Sequence, residues 1–216
     1  MSIVYLLAAY AACYLICSIN FAVIISKIVT KKDIRQQGSG NAGMTNMMRS
    51  VGKTAGLLTL VLDAAKGVGA MLLCYYVILP MSGISEVYIR YCFFYFCALF
   101  CILGHDFPLF FGFKGGKGIA TSLGVFFVVD WRVAVFCLAV FLVIFVICRI
   151  VSLASVTATV LVAMTTFLIN TLEAGIYFGA LSGICMIFPV AVVLYMHRSN
   201  ISKLIKGEEK QLKIKK

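Results

Sequence analysis

Two stretches of this 216-residue chain combine glycine, small polar and basic residues as a phosphate ligand would require. The first is Gly38-Ser-Gly-Asn-Ala-Gly-Met-Thr-Asn46, followed by Arg49. Gly40 and Gly43 permit close backbone approach, and successive N–H groups in such a loop can form an anion-binding nest. Ser39, Asn41, Thr45 and Asn46 add neutral donors, and Arg49 can grip a phosphate through two N–H groups. The same composition also describes a flexible polar loop. The second stretch runs from Gly104-His105 through Phe-Gly-Phe-Lys to Gly115-Gly116-Lys117-Gly118 and Thr121. A glycine-rich loop that opens a helix offers free N–H groups and a favourable dipole to an anion. A Walker A loop is excluded, because Lys117 is followed by Gly118 and the glycine spacing is wrong. The plainer alternative is a lysine-tipped interfacial turn anchored by aromatics.

Smaller groups follow the same logic. Ser152 and Ser155 lie just after Arg149 and read first as a small-residue helix contact. His197 and Asn200 share a helix face at i, i+3 spacing, ahead of a basic tail that suits an anionic lipid surface. Asp63 and Lys66 have the same spacing inside an apolar run, where mutual pairing is the expected role. The nine cysteines are scattered through apolar runs with no paired CxxC, so no metal site is indicated and small apolar filler is the reading.

These residues need positioning elements, and the composition says which kind. Hydrophobic residues make up 62% and charged residues 12% of the chain, against about a quarter charged in a soluble domain. With a mean hydropathy of +1.05, the chain reads as a single all-α, polytopic membrane domain over residues 1–216, with a charged tail over 197–216. Apolar runs predict seven crossings: Ile3–Ser26, Thr54–Pro80, Tyr88–Leu103, a short fourth at Ser122–Val129, Val133–Cys148, one reaching Asn170, and Gly175–Tyr195. The first lacks a basic lead and a cleavage site, and is expected to be retained. Net charge is +11. With alternate ends assigned to one side, Lys27, Lys31, Lys32, Arg35, Arg49, Lys53, Lys114, Lys117, Arg149, Arg198 and the tail lysines share a face. The other face keeps only Arg90 and Arg132, beside Glu86, Asp130 and Glu173. The positive-inside rule then puts the N-terminus outside, and the C-terminus and both glycine loops in the cytoplasm.

Taken in order, these stretches resemble the PlsY family of acyl-phosphate:glycerol-3-phosphate acyltransferases. The resemblance is carried by Asp33-Ile-Arg with Gly38 to Asn46 and Arg49, Leu62-Asp63 with Lys66-Gly67, and Gly104-His-Asp-Phe-Pro. Gly115-Gly-Lys-Gly-Ile-Ala-Thr121, Val151-Ser-Leu-Ala-Ser155 and His197-Arg-Ser-Asn-Ile201 complete it. It implies a seven-span enzyme of the bacterial inner membrane with a cytoplasmic active site. Such an enzyme moves an acyl group from acyl phosphate, not acyl-CoA, to the 1-hydroxyl of sn-glycerol 3-phosphate. Lysophosphatidic acid and inorganic phosphate result, without a cofactor, metal or nucleic acid, in the first committed step of phospholipid synthesis. A second enzyme must supply the acyl phosphate. Ser39, Asn41, Asn46, Arg49, His105, Lys117, Ser155, His197 and Asn200 match the family's polar functional positions.

Two departures stand out. The family's Ser-Ile-Pro-Phe is here Ser18-Ile-Asn-Phe21, and losing proline is expected to straighten the first helix. Met44 replaces the usual alanine. On this reading Arg49 and Lys117 hold phosphate, Gly40, Gly43, Thr45, Gly115 and Gly116 shape the loops, and Ser155 is a hydrogen-bonding ligand. His197 is either a general base or an orienting group, with the proton then passing to a substrate phosphate oxygen. An anion transporter with a basic vestibule is the rival class, although no internal repeat supports it. A non-catalytic lipid-binding protein would explain the tail but not the glycine loops.

Overall fold

The computed structural model describes residues 3–212; Lys213, Lys215 and Lys216 of the basic tail lie outside the described residues. The first apolar run is not one straight helix. It forms α1 (Ile3–Cys17) and α2 (Phe21–Thr30), interrupted at Ser18-Ile19-Asn20. The expectation that a missing proline would straighten this segment is therefore wrong. Asn20 makes the break instead: its backbone is extended and its side-chain oxygen accepts from Val23 N at 3.1 Å, which caps α2. The break leaves the Ile19 carbonyl without a helical partner, and Lys66 Nζ donates to it at 2.7 Å.

A left-handed Lys31 ends α2. A short 3₁₀ turn, Ile34–Gln36, then leads to α3 (Met44–Ser50) and α4 (Lys53–Leu73). Pro80 lacks the N–H that would continue the ladder. The helix widens into a π turn at Cys74–Ile78 before α5 (Leu79–Ser82). There follow α6 (Val87–Asp106), α7 (Ile119–Val129), α8 (Trp131–Cys148), α9 (Val151–Ala174), α10 (Ile176–Met196) and α11 (Arg198–Ile205). The described residues contain no strand. Among the described residues, six helical stretches are long and apolar enough to cross a membrane. At 11 residues, α7 is too short for a full crossing: it rises only about 16 Å, roughly half the hydrocarbon thickness. Tyr177, Leu172 and Ile147 are 90%, 76% and 74% exposed on the outside of the bundle. In water such a surface would be penalised, whereas in lipid it is the solvated face.

Close helix contacts rest on small residues. A Cβ on Gly67 of α4 would stand 2.6 Å from the Thr121 carbonyl of α7, and one on Gly124 would overlap the Ala64 backbone in return. The α1–α4–α6 core is apolar and rich in cysteine. A second core joins α6 to α8, α9 and α10, where Asn170 Nδ2 donates to Tyr95 Oη and Ser182 Oγ, each at 2.8 Å.

Asp63 and Lys66 pair as expected, at 2.8 Å and 3% side-chain exposure each. Pairing is not their whole role, because Lys66 also closes the broken first helix. Replacing Lys66 by methionine strands a buried carboxylate, and should cost about 3–5 kcal/mol. The double variant Asp63→Leu/Lys66→Met should recover more than half of that loss. Thermal unfolding in detergent measures both.

Candidate active site

The first glycine loop is organised around Asn46, the third residue of α3. Its Oδ1 accepts from Ser39 N at 3.0 Å and from Ser50 Oγ at 3.4 Å. Its Nδ2 faces the carbonyls of Ile34, Gln37 and Asn41 at 3.2, 2.9 and 3.0 Å. Asn46 is 1% exposed, so its amide is engaged inside the loop. Gly38 and Gly40 take positive φ of 57° and 73° to close the turn around it. Gly40 N donates to Gln37 O. Two amides of the expected nest, those of Ser39 and Gly40, are thus bonded within the loop. The Ser39 side chain and Gly40 are exposed, while Asn41, Gly43, Met44 and Thr45 are half-buried where the loop enters α3. Arg49, in the last turn of α3, is exposed.

The second loop folds back on the helix that precedes it. Gly115 N donates to Asp106 O at 3.0 Å and Gly116 N to His105 O at 3.2 Å. A Cβ on Gly116 would overlap the His105 ring and come within 3.0 Å of Ala42 O. That glycine therefore lets the two loops touch. Arg35 fastens the same contact from the other side, donating to Phe111 O at 2.5 Å and to Lys114 O at 3.3 Å. Asp33 grips the Arg35 guanidinium at 2.8 and 3.0 Å. That bond holds the Asp33 carboxyl below its ordinary range and raises Arg35 above its own. His105 is 4% exposed, with Nδ1 3.6 Å from Asp63 Oδ1. The buried pair of α4 is thereby linked to the second loop.

The chain's end closes the site. Lys117 Nζ donates to Asn200 Oδ1. Asn200 Nδ2 donates to Glu209 Oε1 at 2.7 Å, and Ser152 Oγ donates to the same oxygen at 2.8 Å. A reversal at Gly207, with φ 70°, brings Glu209 back, and Leu212 N reaches Arg149 O at 2.8 Å. Burial pushes the Lys117 ammonium below its usual range, with Glu209 opposing that fall. His197 sits at the α10–α11 junction, 4% exposed, with Nδ1 2.8 Å from Val193 O. Burial pushes its imidazole down to about 4, so the ring is neutral at pH 7. Because Nδ1 meets a carbonyl, the proton belongs there and Nε2 is left as the acceptor. Ser155 lies one turn beyond Ser152, 3% exposed.

Beneath this polar cap lies an apolar crevice lined by Ile102, Phe126, Thr159, Val162, Met186 and Val193, among others. A Cβ on Gly118 would stand 3.1 Å from Ile102 Cγ2 and 3.4 Å from Val193 Cγ2. The glycine loop therefore rests directly on the crevice wall.

Comparison with known proteins decides the family. Residues 7–207 match the family model described as glycerol-3-phosphate acyltransferase. The chain belongs to the glycerol-3-phosphate acyltransferase family. It is 40% identical over 201 residues to a protein of that name from Chromobacterium violaceum, covering 93% of this chain and 92% of the relative. A relative from Clostridioides difficile is 37% identical over 213 residues, covering 98% and 97%. The crystal structure of PlsY, an integral membrane glycerol 3-phosphate acyltransferase in its glycerol 3-phosphate form, superposes with a TM-score of 0.79. It has 38% identity and 96% coverage of each chain. A lysophosphatidic acid form of PlsY superposes with a TM-score of 0.76, at 38% identity and 95% and 94% coverage.

In this acyltransferase the structure joins the first loop, the second loop, the start of α9 and the tail into one polar cluster. The polar contacts within it do not include the side chains of Arg49, Thr45 or Ser155. Two positioning residues were missed from sequence. Arg35 stands in the sequence reading as basic-face charge and within the Asp33-Ile-Arg stretch but with no positioning role, and Glu209 is hidden in a tail read as lipid-attracted. The available signal for Glu209 was a glycine followed by two acids within an otherwise basic segment.

Two predictions follow from these contacts. Glu209→Ala releases both Asn200 and Ser152 and should lower acyltransferase kcat/KM by about tenfold to a hundredfold, the worth of hydrogen bonds to a charge. Glu209→Gln, which keeps an acceptor oxygen, should retain most of it. An unfolded histidine titrates near 6.5, whereas His197 in the folded chain does so at about 4. As pH falls through that window the unfolded chain takes up a proton that the folded chain refuses, so stability is lost on acidification. Unfolding of His197→Gln, compared with the parent between pH 7 and pH 4, should show a shallower decline.

Proposed function

We propose that this acyltransferase moves a fatty acyl group from acyl phosphate to the 1-hydroxyl of sn-glycerol 3-phosphate, releasing lysophosphatidic acid and inorganic phosphate. The observation that carries the reading is the convergence of both glycine loops, Lys117, Asn200 and Glu209 at one polar end of an apolar helical bundle. A basic cap on a lipid-facing bundle suits a ligand with an anionic head and a greasy tail, and both the donor and the lipid product have that form. The proposal includes a single domain with seven crossings, the fourth made by the short α7 together with the loop that precedes it. The N-terminus lies outside, and the site faces the cytoplasm of a bacterial inner membrane. An enzyme that makes acyl phosphate supplies the donor. An anion transporter is disfavoured by the acyltransferase family assignment.

In the proposed reaction the glycerol hydroxyl oxygen attacks the acyl carbon. A new ester C–O bond forms, and the bond from the acyl carbon to the phosphate oxygen breaks. Arg49 and Lys117 offset the growing negative charge. Lys117 has three ammonium protons, of which Asn200 uses one, so two remain for substrate oxygens. The Gly40–Gly43 turn and Thr45 shape the first loop, with Ser39 and Asn41 offering donors, while Asn46 positions that loop. Ser155 and His105 line and support the site. His197, neutral and with Nε2 free to accept, orients the glycerol hydroxyl. With His197 orienting the hydroxyl, the proton goes to a substrate phosphate oxygen.

Purified protein given palmitoyl phosphate and glycerol 3-phosphate should release inorganic phosphate and lysophosphatidic acid, and should not do so with palmitoyl-CoA. No phosphate release would end the proposal. Lys117→Ala and Arg49→Ala should each cut kcat by about 10²–10³. His197→Ala should mainly raise KM for glycerol 3-phosphate. A large fall in kcat at unchanged KM would show instead that His197 is the base.

A further inference from the structure

Away from the polar cap, five cysteines share one apolar cluster. Cys13 and Cys17 lie on one face of α1, Cys97 and Cys101 on one face of α6, and Cys74 opens the π turn; all five are 0% exposed. Three of the thiols converge from three separate segments. Cys13 Sγ and Cys74 Sγ are 3.4 Å apart, Cys97 Sγ is 3.8 Å from Cys74 Sγ, and the three sulfurs all lie within 4.8 Å of one another. Three sulfurs bound in a plane at about 2.3 Å from a cation would be about 4 Å apart. The unliganded thiols thus already stand close to the spacing of a trigonal sulfur site.

The donor chemistry selects the ion. Apart from Tyr10 at its edge, the described side chains of this cluster offer only carbon and sulfur. Hard cations need oxygen ligands, while thiolates favour soft ions such as Cu(I). Charge selects it further, because an uncompensated ion in an apolar interior is penalised severely. A monovalent ion that replaces a single thiol proton leaves the site neutral: one S–H bond breaks, one S–metal bond forms, and one proton leaves to solvent. The other two thiols then act as neutral donors. A cleft of about 290 Å³, lined by Tyr75, Tyr76, Leu79, Pro80 and Arg90, begins at the residue after Cys74. Leu79 belongs both to that cleft and to the cysteine cluster.

We propose that Cys13, Cys74 and Cys97 form a soft monovalent cation site, taking Cu(I) or Ag(I) through sulfur alone. The site is separate from the acyltransferase chemistry, and its occupancy is measured without substrate. Purified protein in detergent is titrated anaerobically with Cu(I) against a chromophoric Cu(I) chelator. One equivalent should bind and one proton should appear in solution. X-ray absorption of the loaded protein should show sulfur neighbours only. Cys74→Ala should weaken binding by about a hundredfold or more, since even outer-shell changes cost tenfold to a hundredfold, while Cys148→Ala, at the end of α8, should leave it unchanged. Phosphate release and monodispersity report whether each variant has folded. If Cys74→Ala fails to fold, Cys97→Ser takes its place, and the absorption spectrum of the parent protein needs no variant. Absence of a bound equivalent, nitrogen or oxygen neighbours, or unaltered affinity in a folded Cys74→Ala protein would each overturn the assignment.

Discussion

The buried ammonium of Lys66 is the interaction on which the polar end of this bundle depends. It satisfies two costs at once, the Asp63 carboxylate and the Ile19 carbonyl freed by the broken first helix. Either alone would be expensive in a low-dielectric interior. Because the break is satisfied, α2 can set off separately from α1. Ile34 N then reaches Ser26 Oγ at 3.1 Å, and the Ile34 carbonyl receives Asn46. Because Asp63 is held, His105 has a fixed acidic neighbour, and its carbonyl holds Gly116. A single cation within the bundle thereby couples both glycine loops, and such networks stabilise by more than their separate bonds.

At the surface the arrangement changes from closure to availability. Arg35 is fully used, clamped by Asp33 and spent on the carbonyls of Phe111 and Lys114. Arg49 is exposed. Lys117 lies between these extremes, with one bond to Asn200 and a carboxylate from Glu209 nearby. The division separates a cation that builds the loops from cations whose N–H groups are not used up by the fold. Glu209 fixes the Asn200 amide so that its oxygen faces Lys117, which leaves the remaining ammonium protons directed by geometry instead of by solvent. Pre-orientation of this kind is what makes electrostatic stabilisation effective in the transition state.

Much of this was legible in the sequence, and what was not has a common cause. The apolar runs marked the long helices and the short one, because hydropathy is a local property. The second glycine-rich loop was legible as a pattern because close packing leaves no room for a Cβ at Gly115, Gly116 and Gly118. Asn20 was misread: a missing proline suggested a straight helix, yet a capping amide produces the same break by another route. Asn46 read as a free donor, and only the path of residues 34–41 around it turns its amide inward. Glu209 reaches Ser152 across 57 residues, and Cys13 reaches Cys74 across 61. No local pattern encodes such pairings.

The short α7 explains why a basic glycine loop and an apolar crevice meet at one place. A helix of 11 residues cannot bring its N-terminus to the surface occupied by the longer helices, so the loop before it must descend into the bundle. Irregular backbone at that depth is tolerated only when its polar groups are satisfied by protein. The Asp106 and His105 carbonyls do this for Gly115 and Gly116, and Gly118 at φ 76° turns the chain into α7. Every one of these positions is pressed by neighbours: a Cβ would meet the His105 carbonyl at Gly115, the His105 ring at Gly116 and Ile102 at Gly118. The glycines are therefore demanded by packing before any ligand arrives. Once the loop has descended, Gly118, the residue after Lys117, abuts Ile102 and Val193 on the crevice wall. A full-length helix in this position would have kept the cation and the apolar slot apart.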